Sequence, residues 1–216
     1  MELNFRSDIK NWLDNTEKLE PIPTTFCANL KTDSQEPIKA VIFDIYGTLL
    51  ISSSGDIDQA SLSDENMREA MKAGGFDLKN CQAEVYPFLL EQLQLNIADQ
   101  HKALRMQGHP FPDVDIFGVW QGMFTAAENN GLLKRTGNES LADTIFVFEI
   151  LSNRIYPMPG MKEVLLAIKE KGIPMGIVSN AQFYTPIIMN YFMTGEFSPR
   201  QQIELFEEDL SVYSFK

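Results

Sequence analysis

Two places in the chain set reactive side chains at the end of an apolar run. At 39–43 the sequence KAVIF runs into Asp44, followed by Tyr46, Gly47 and Thr48, and at 173–180 IPMGIVSN closes on Ser179 and Asn180. A side chain just beyond the carboxyl end of a buried parallel strand points into the crevice where open α/β sheets take their ligands. A carboxylate there can attack an electrophilic centre and form a covalent intermediate, which divides a hard displacement into two easier ones. When the centre is phosphorus two anions meet. The repulsion is then offset by Mg²⁺ bridging carboxylate and phosphate and by backbone N–H donors, which Gly47 allows by letting the chain turn tightly. Thr48 would hold that turn, and the Ser179 hydroxyl would bond a transferring oxygen. Taken alone, an Asp or a Ser-Asn pair after a strand reads as a turn; their occurrence together is what singles these positions out.

The elements that must position these groups follow from local pattern. KAVIF lacks polar alternation, as expected of a strand buried on both faces of a parallel sheet. PGMKEVLLAIKEKG at 159–172 sets Met161, Val164, Leu165 and Ile168 on one helical face between Pro159 and Gly172, and the strand 173–180 follows. A third strand is read at 210–215, LSVYSF, reached through residues 183–206, which are helical at their start. Strands alternating with helices predict an α/β sheet. The stretch between the first two strands is far longer than a crossover helix needs, so a separate module is inserted there. Its segments at 63–75, 83–108, 118–131 and 138–154 carry apolar residues at three- and four-residue intervals, and Ser63 is placed to cap the first. Residues 3–19 form an N-terminal helix stopped by Pro21 and Pro23, with a linker running on to the first strand. The domain reading is thus 1–38 helix and linker, 39–54 with 156–216 core, and 55–155 helical insert.

VIFDIYGTLL at 41–50 resembles the first signature of the haloacid dehalogenase superfamily, an apolar strand ending in Asp-x-(Asp or Tyr)-Gly-Thr-Leu. IVSN at 177–180 resembles its second, and PMPGMKEVLLAIKEKG lies where that family has a Pro-Gly turn and helix. The resemblance implies a Rossmann-like parallel sheet ordered 5-4-1-2-3 and a helical cap. It also implies Asp44 as nucleophile, Tyr46, Ser179 and Asn180 as site residues, and Gly47, Thr48 and Ser179 around phosphate. In the phosphatases Mg²⁺ would be held by the Asp44 carboxylate and the Tyr46 backbone carbonyl; in the 2-haloacid dehalogenases no metal is needed.

Tyr46 is the informative departure, because many phosphatases of the superfamily carry a second Asp there as general acid and then base. A phenol with a pKa near 10 stays protonated at neutral pH, and positioned acid–base catalysis is worth on the order of 10² to 10⁴ in rate. Three readings therefore stand: a Mg²⁺-dependent phosphatase of a small phosphorylated metabolite, a 2-haloacid dehalogenase using the same Asp44, and a non-catalytic binding protein. Tyr46 itself is read either as a site residue or as a ring packed beneath the cap. The fourth and fifth strands of the family, with its lysine and acidic metal site, would lie beyond Lys216, so the core is expected to be incomplete. Its first strand would then be open along one edge to a partner or a second copy. Lys216 lacks the family's Lys-Pro context and is not assigned; SGDID at 54–58 follows the first strand too soon for the metal signature and is read as loop acids.

Composition narrows the ligand. With a formal net charge of -12, binding to a nucleic-acid backbone is not expected, since that affinity comes from Lys and Arg displacing counterions. A small, anionic molecule is the expected substrate, with Arg68, Arg105, Arg135 and Arg154 as candidates to meet it from the insert and His101 and His109 read as surface residues. Cys27 and Cys81 show neither disulfide nor metal spacing. The longest apolar stretch, TIFVFEIL at 144–151, is interrupted by Glu149 and too short to span a bilayer. A cytoplasmic protein with no membrane partner is expected.

Overall fold

The structure is a computed structural model, and it describes residues 3, 5, 6, 8–16, 18–20, 36–53, 62–110, 112–200 and 202–215. In chain order the regular elements are α1 (Lys10–Asp14), β1 (Val41–Phe43), β2 (Leu50–Ser52), α2 (Asp64–Ala73), α3 (Val85–Met106), α4 (Ile116–Asn129) and α5 (Leu141–Ser152). They continue with β3 (Ile155–Pro157), α6 (Met161–Glu170), β4 (Met175–Ser179), α7 (Tyr184–Thr194) and β5 (Val212–Tyr213). The fold is α/β, with a Rossmann-like parallel sheet. Strand order is β1-β4-β5, with Phe43 opposite Ile177 and Ser179 opposite Tyr213. Among the described residues nothing pairs with the other edge of β1.

Each strand is shorter than its apolar run, and β5 shows why. Residues 208–210 form a 3₁₀ turn instead of strand, with the Glu207 amide donating to the Met175 carbonyl at 2.8 Å. Serine hydroxyls then stand in for ladder partners: Ser211 Oγ accepts from the Ile177 amide at 3.2 Å, and Ser214 Oγ from the Ala181 amide at 3.0 Å. Such side-chain bonds compete with regular pairing. Gly176 is required by the same approach, because a Cβ there would lie 2.1 Å from the Leu210 carbonyl oxygen.

Four helices occupy the insert, and three begin on side-chain caps that satisfy otherwise orphaned amides. Ser63 Oγ accepts from the Asn66 amide at 3.1 Å, Asp115 Oδ1 from Gly118 at 3.1 Å, and Ser140 Oγ from Asp143 at 3.2 Å. Helix α2 packs on α5 and α3, and α3 on α4. Trp120, Phe124 and Phe146 are fully enclosed among them. The chain leaves and rejoins the core through an antiparallel pair, β2 against β3, with Ile51 opposite Tyr156. The sequence reading did not resolve this pair, since three residues are too few to show a period of two.

The N-terminal helix is only the single turn and a half of α1, not the longer helix expected over 3–19. Tertiary contacts hold the segment instead. Phe5 meets both Phe146 of the insert and Phe197 beyond α7, each at 5.4 Å between ring centroids, and the Tyr191 hydroxyl donates to Asp14 Oδ1 at 2.5 Å. The linker residues 21–35, including Cys27, and the acidic loop 54–58 lie outside the described residues; Cys81 carries a free thiol. On α6, Met161 and Leu165 are buried as expected, whereas Val164 is 52% exposed. None of the described helices is long and apolar enough to cross a membrane.

Candidate active site

The residues following β1 form one tight turn. Its centre is the Ile45 carbonyl, which accepts from the amides of Thr48, Leu49 and Leu50 at 3.2, 2.8 and 2.9 Å, while the Gly47 amide donates to Leu50 at 2.8 Å. Gly47 has φ +82°, and a Cβ there would meet open space; backbone conformation, not crowding, selects glycine. Asp44 stands exposed at the head of this turn. With Phe43 opposite Ile177, it lies beside the carboxyl end of β4, where Ser179 is buried and Asn180 exposed.

These groups share a cavity of about 280 Å³, lined by Asp44, Tyr46, Ser179 and Asn180 together with Ser52, Asp113, Glu149, Asn153, Gln182 and Tyr184. Gly47 and Thr48 shape the turn from behind and do not line it. Their amides donate within the turn, Gly47 to the Leu50 carbonyl and Thr48 to the Ile45 carbonyl. The Tyr46 hydroxyl bonds Thr185 Oγ1 at 2.8 Å, tying the turn to α7. Desolvation pushes its pKa well up, with the Glu149 charge adding to the effect, so no phenolate is available at neutral pH.

The insert contributes the remaining polar wall. Desolvation raises the pKa of Glu149, although Asn153 Nδ2 donates to its Oε1 at 3.3 Å and Tyr184 also bonds it. Tyr184 is shifted up for the same reason, loss of water first and the neighbouring Glu149 second. Asp113 Oδ1 accepts from Gln182 Nε2 at 2.8 Å and bridges the α3–α4 loop to the loop after β4, while its buried Oδ2 has no hydrogen-bond partner. The cavity therefore carries three carboxyl groups and, among its described lining, no Lys or Arg.

Among the described residues no group of three or more His, Cys, Asp or Glu side chains is gathered to hold a metal ion. The Asp44 carboxylate and the Tyr46 carbonyl are the groups that would hold magnesium here, one carboxylate being within the one or two such sites ordinarily use alongside waters and substrate oxygens.

Against known families, residues 38–187 match the haloacid dehalogenase-like hydrolases. The chain belongs to that family. The match runs from just before β1 into α7 and so takes in both strand ends that bear Asp44 and Ser179. Among solved structures, the chain is similar to a mutant of CbbY from Rhodobacter sphaeroides in complex with xylulose-1,5-bisphosphate, at 18% identity and a TM-score of 0.33. That alignment covers 82% of this chain and 64% of the other. No protein of curated function matches.

Asp44, Tyr46, Ser179 and Asn180 all line one cavity. Sequence reasoning missed Asp113, Glu149, Gln182 and Tyr184. Glu149 had a visible signal, an acid inside the apolar run 144–151 of a helix, since a charge is rarely buried without a purpose. Of the four arginines proposed for substrate, none lines the Asp44 cavity, and Arg135 is held by Glu128, its Nε donating to Oε2 at 2.9 Å. His109 is exposed as expected, but His101 is half-buried and lines a second cavity.

Proposed function

We propose that this hydrolase cleaves a small phosphate monoester through a phosphoryl intermediate on Asp44. The supporting observation is that Asp44 and Ser179 sit at the ends of adjacent parallel strands and line one cavity. An Asp44 carboxylate oxygen bonds phosphorus as the bond to the ester oxygen breaks, and Ser179 donates to a phosphoryl oxygen, with Asn180 beside it. The leaving alkoxide takes its proton from Glu149, whose carboxyl is biased toward the neutral form. Water then attacks phosphorus, returns a proton to Glu149, and the bond to Asp44 breaks with release of phosphate. In this scheme Glu149 does what Tyr46 cannot, and Tyr46 is a positioning residue fixed by Thr185. The helical segment 55–155 acts as a cap over the core formed by 39–54 and 156–216, and magnesium is an added requirement to be measured.

Phosphate release from a panel of monoesters, with magnesium and with chelator, tests the reading. Asp44→Asn is expected to lower turnover by roughly 10³-fold or more; full activity in that variant would remove Asp44 from the chemistry. Glu149→Gln is expected to slow alkyl esters by about 10²-fold while sparing p-nitrophenyl phosphate, whose leaving group needs no proton.

One observation favours a second reading. Tyr46, standing where an acid would stand in many phosphatases, suits displacement of halide from a 2-haloacid, which requires neither proton nor metal. Halide release that survives chelator, with phosphate esters untouched, would select it.

A further inference from the structure

A second cavity, of about 360 Å³, lies within the helical insert and meets the first at Glu149 and Tyr184, which line both. Its inner walls are apolar, built by Ile97 of α3, Trp120 of α4 and Ile145 and Phe148 of α5. Along α3 the lining residues Leu93, Ile97, His101 and Arg105 recur every fourth position and so form a single stripe. Exposure rises along that stripe: Leu93 and Ile97 are buried, His101 is half-buried and Arg105 is exposed. The cavity thus runs from the rim of the Asp44 pocket along α3, open to solvent beside Gln94, Ala98 and Arg105.

A cavity of this size lies in the lower part of the range for small-molecule sites, roughly 300–1,000 Å³. Glu149, Ser152 and Tyr184 meet it where it joins the Asp44 pocket, His101 and Arg105 meet it farther along α3, and Gln94 lies at its solvent side, leaving Ile97, Trp120, Ile145 and Phe148 as its apolar stretch. A sugar inside would leave hydroxyls facing isoleucine and aromatic walls without partners, whereas an alkyl or aryl chain would not.

We infer that this channel holds the alcohol portion of the substrate and that this portion is apolar, so that the enzyme acts on alkyl or aryl phosphates rather than sugar phosphates. The inference rests on reading the Asp44 pocket as the hydrolytic site. There the phosphoryl group stays with Asp44 and Ser179, the ester oxygen passes Glu149 and Tyr184, and the chain extends between α3 and α5 toward Arg105.

Calorimetric titration with methylphosphonate, octylphosphonate and 1-octanol tests the channel without relying on turnover. The wild type is compared with Ala98→Trp, a substitution at an exposed lining position of α3, with circular dichroism checking that the variant folds. Octylphosphonate is expected to bind the wild type at least about tenfold more tightly than methylphosphonate, and Ala98→Trp to abolish that advantage without weakening methylphosphonate. Equal affinity for the two phosphonates with no octanol binding, or an advantage that survives in Ala98→Trp, overturns the channel and leaves the phosphate site standing. Octanol binding that Ala98→Trp removes, with neither phosphonate binding better than octanol, supports the channel and rejects the phosphate reading of the Asp44 pocket.

Discussion

A carboxyl group on α5 that accepts from Asn153 and bonds Tyr184 gains two hydrogen bonds but loses water, and at Glu149 the loss is the larger influence. Its folded pKa is therefore above the unfolded value, near 4.3 for glutamate. A group shifted this way contributes stability fully present below the unfolded pKa and lost as pH rises through the folded one. Thermal melts should accordingly show Glu149→Gln gaining on wild type between pH 4 and pH 8, with the largest gap at the alkaline end; parallel curves would contradict it. Tyr46 is shifted upward too, and its hydroxyl is spent on Thr185. Tyr46→Phe should then cost about 0.5–1.5 kcal/mol in denaturant unfolding, the worth of one such bond, and leave the pH dependence of turnover unmoved. Asp44, Ser179 and Asn180 were legible because each ends an apolar run. Asp113 and Gln182 were not, since a polar residue in a loop carries no mark of the residue it will face.

Arg6 illustrates how the N-terminal segment is held. Its guanidinium Nε stands 3.6 Å from a carboxylate oxygen of Asp143, whose side chain has no exposure and whose two oxygens lack hydrogen-bond partners. Desolvation raises the pKa of Asp143 and Arg6 opposes the rise. Removing one partner of such a pair leaves a charge uncompensated, which costs more than the pair itself is worth. Arg6→Ala should cost roughly 1–3 kcal/mol at neutral pH, and adding Asp143→Asn should recover most of it; an unchanged unfolding midpoint in Arg6→Ala would show the segment to be unanchored. The four helices of the insert were readable from their apolar spacing and from Ser63, because helices of this length repeat the pattern several times. The shortness of α1 was not, since Phe5 obtains its burial from Phe146 and Phe197, which are distant in sequence.

Across the whole molecule, parallel order and adjacency of the three strands agree with the sequence expectation; the sheet is unevenly covered. Ile42 lies opposite Gly176, and Val178 opposite Val212, so these positions share one face. On that face Ile42, Val178 and Val212 are 50%, 55% and 64% exposed, while Met175 and Ile177 on the other are buried. An apolar face beside an edge that no described residue pairs favours association, and a net charge of -12 opposes it until salt screens the repulsion. Sedimentation velocity should show a coefficient rising with concentration at high salt for the wild type and a flatter response for Val178→Lys; indifference to both salt and substitution would place the association elsewhere. The antiparallel pair β2 and β3 carries a different consequence. Because β2 and β3 are bonded to each other, they make one double-stranded connection instead of two independent tethers, about which the described helices α2 to α5 would tilt together. The bond from Gln182 to Asp113 ties the α3–α4 loop to the loop after β4 beside the same cavity, so a tilt of the helices away from β4 would have to break it.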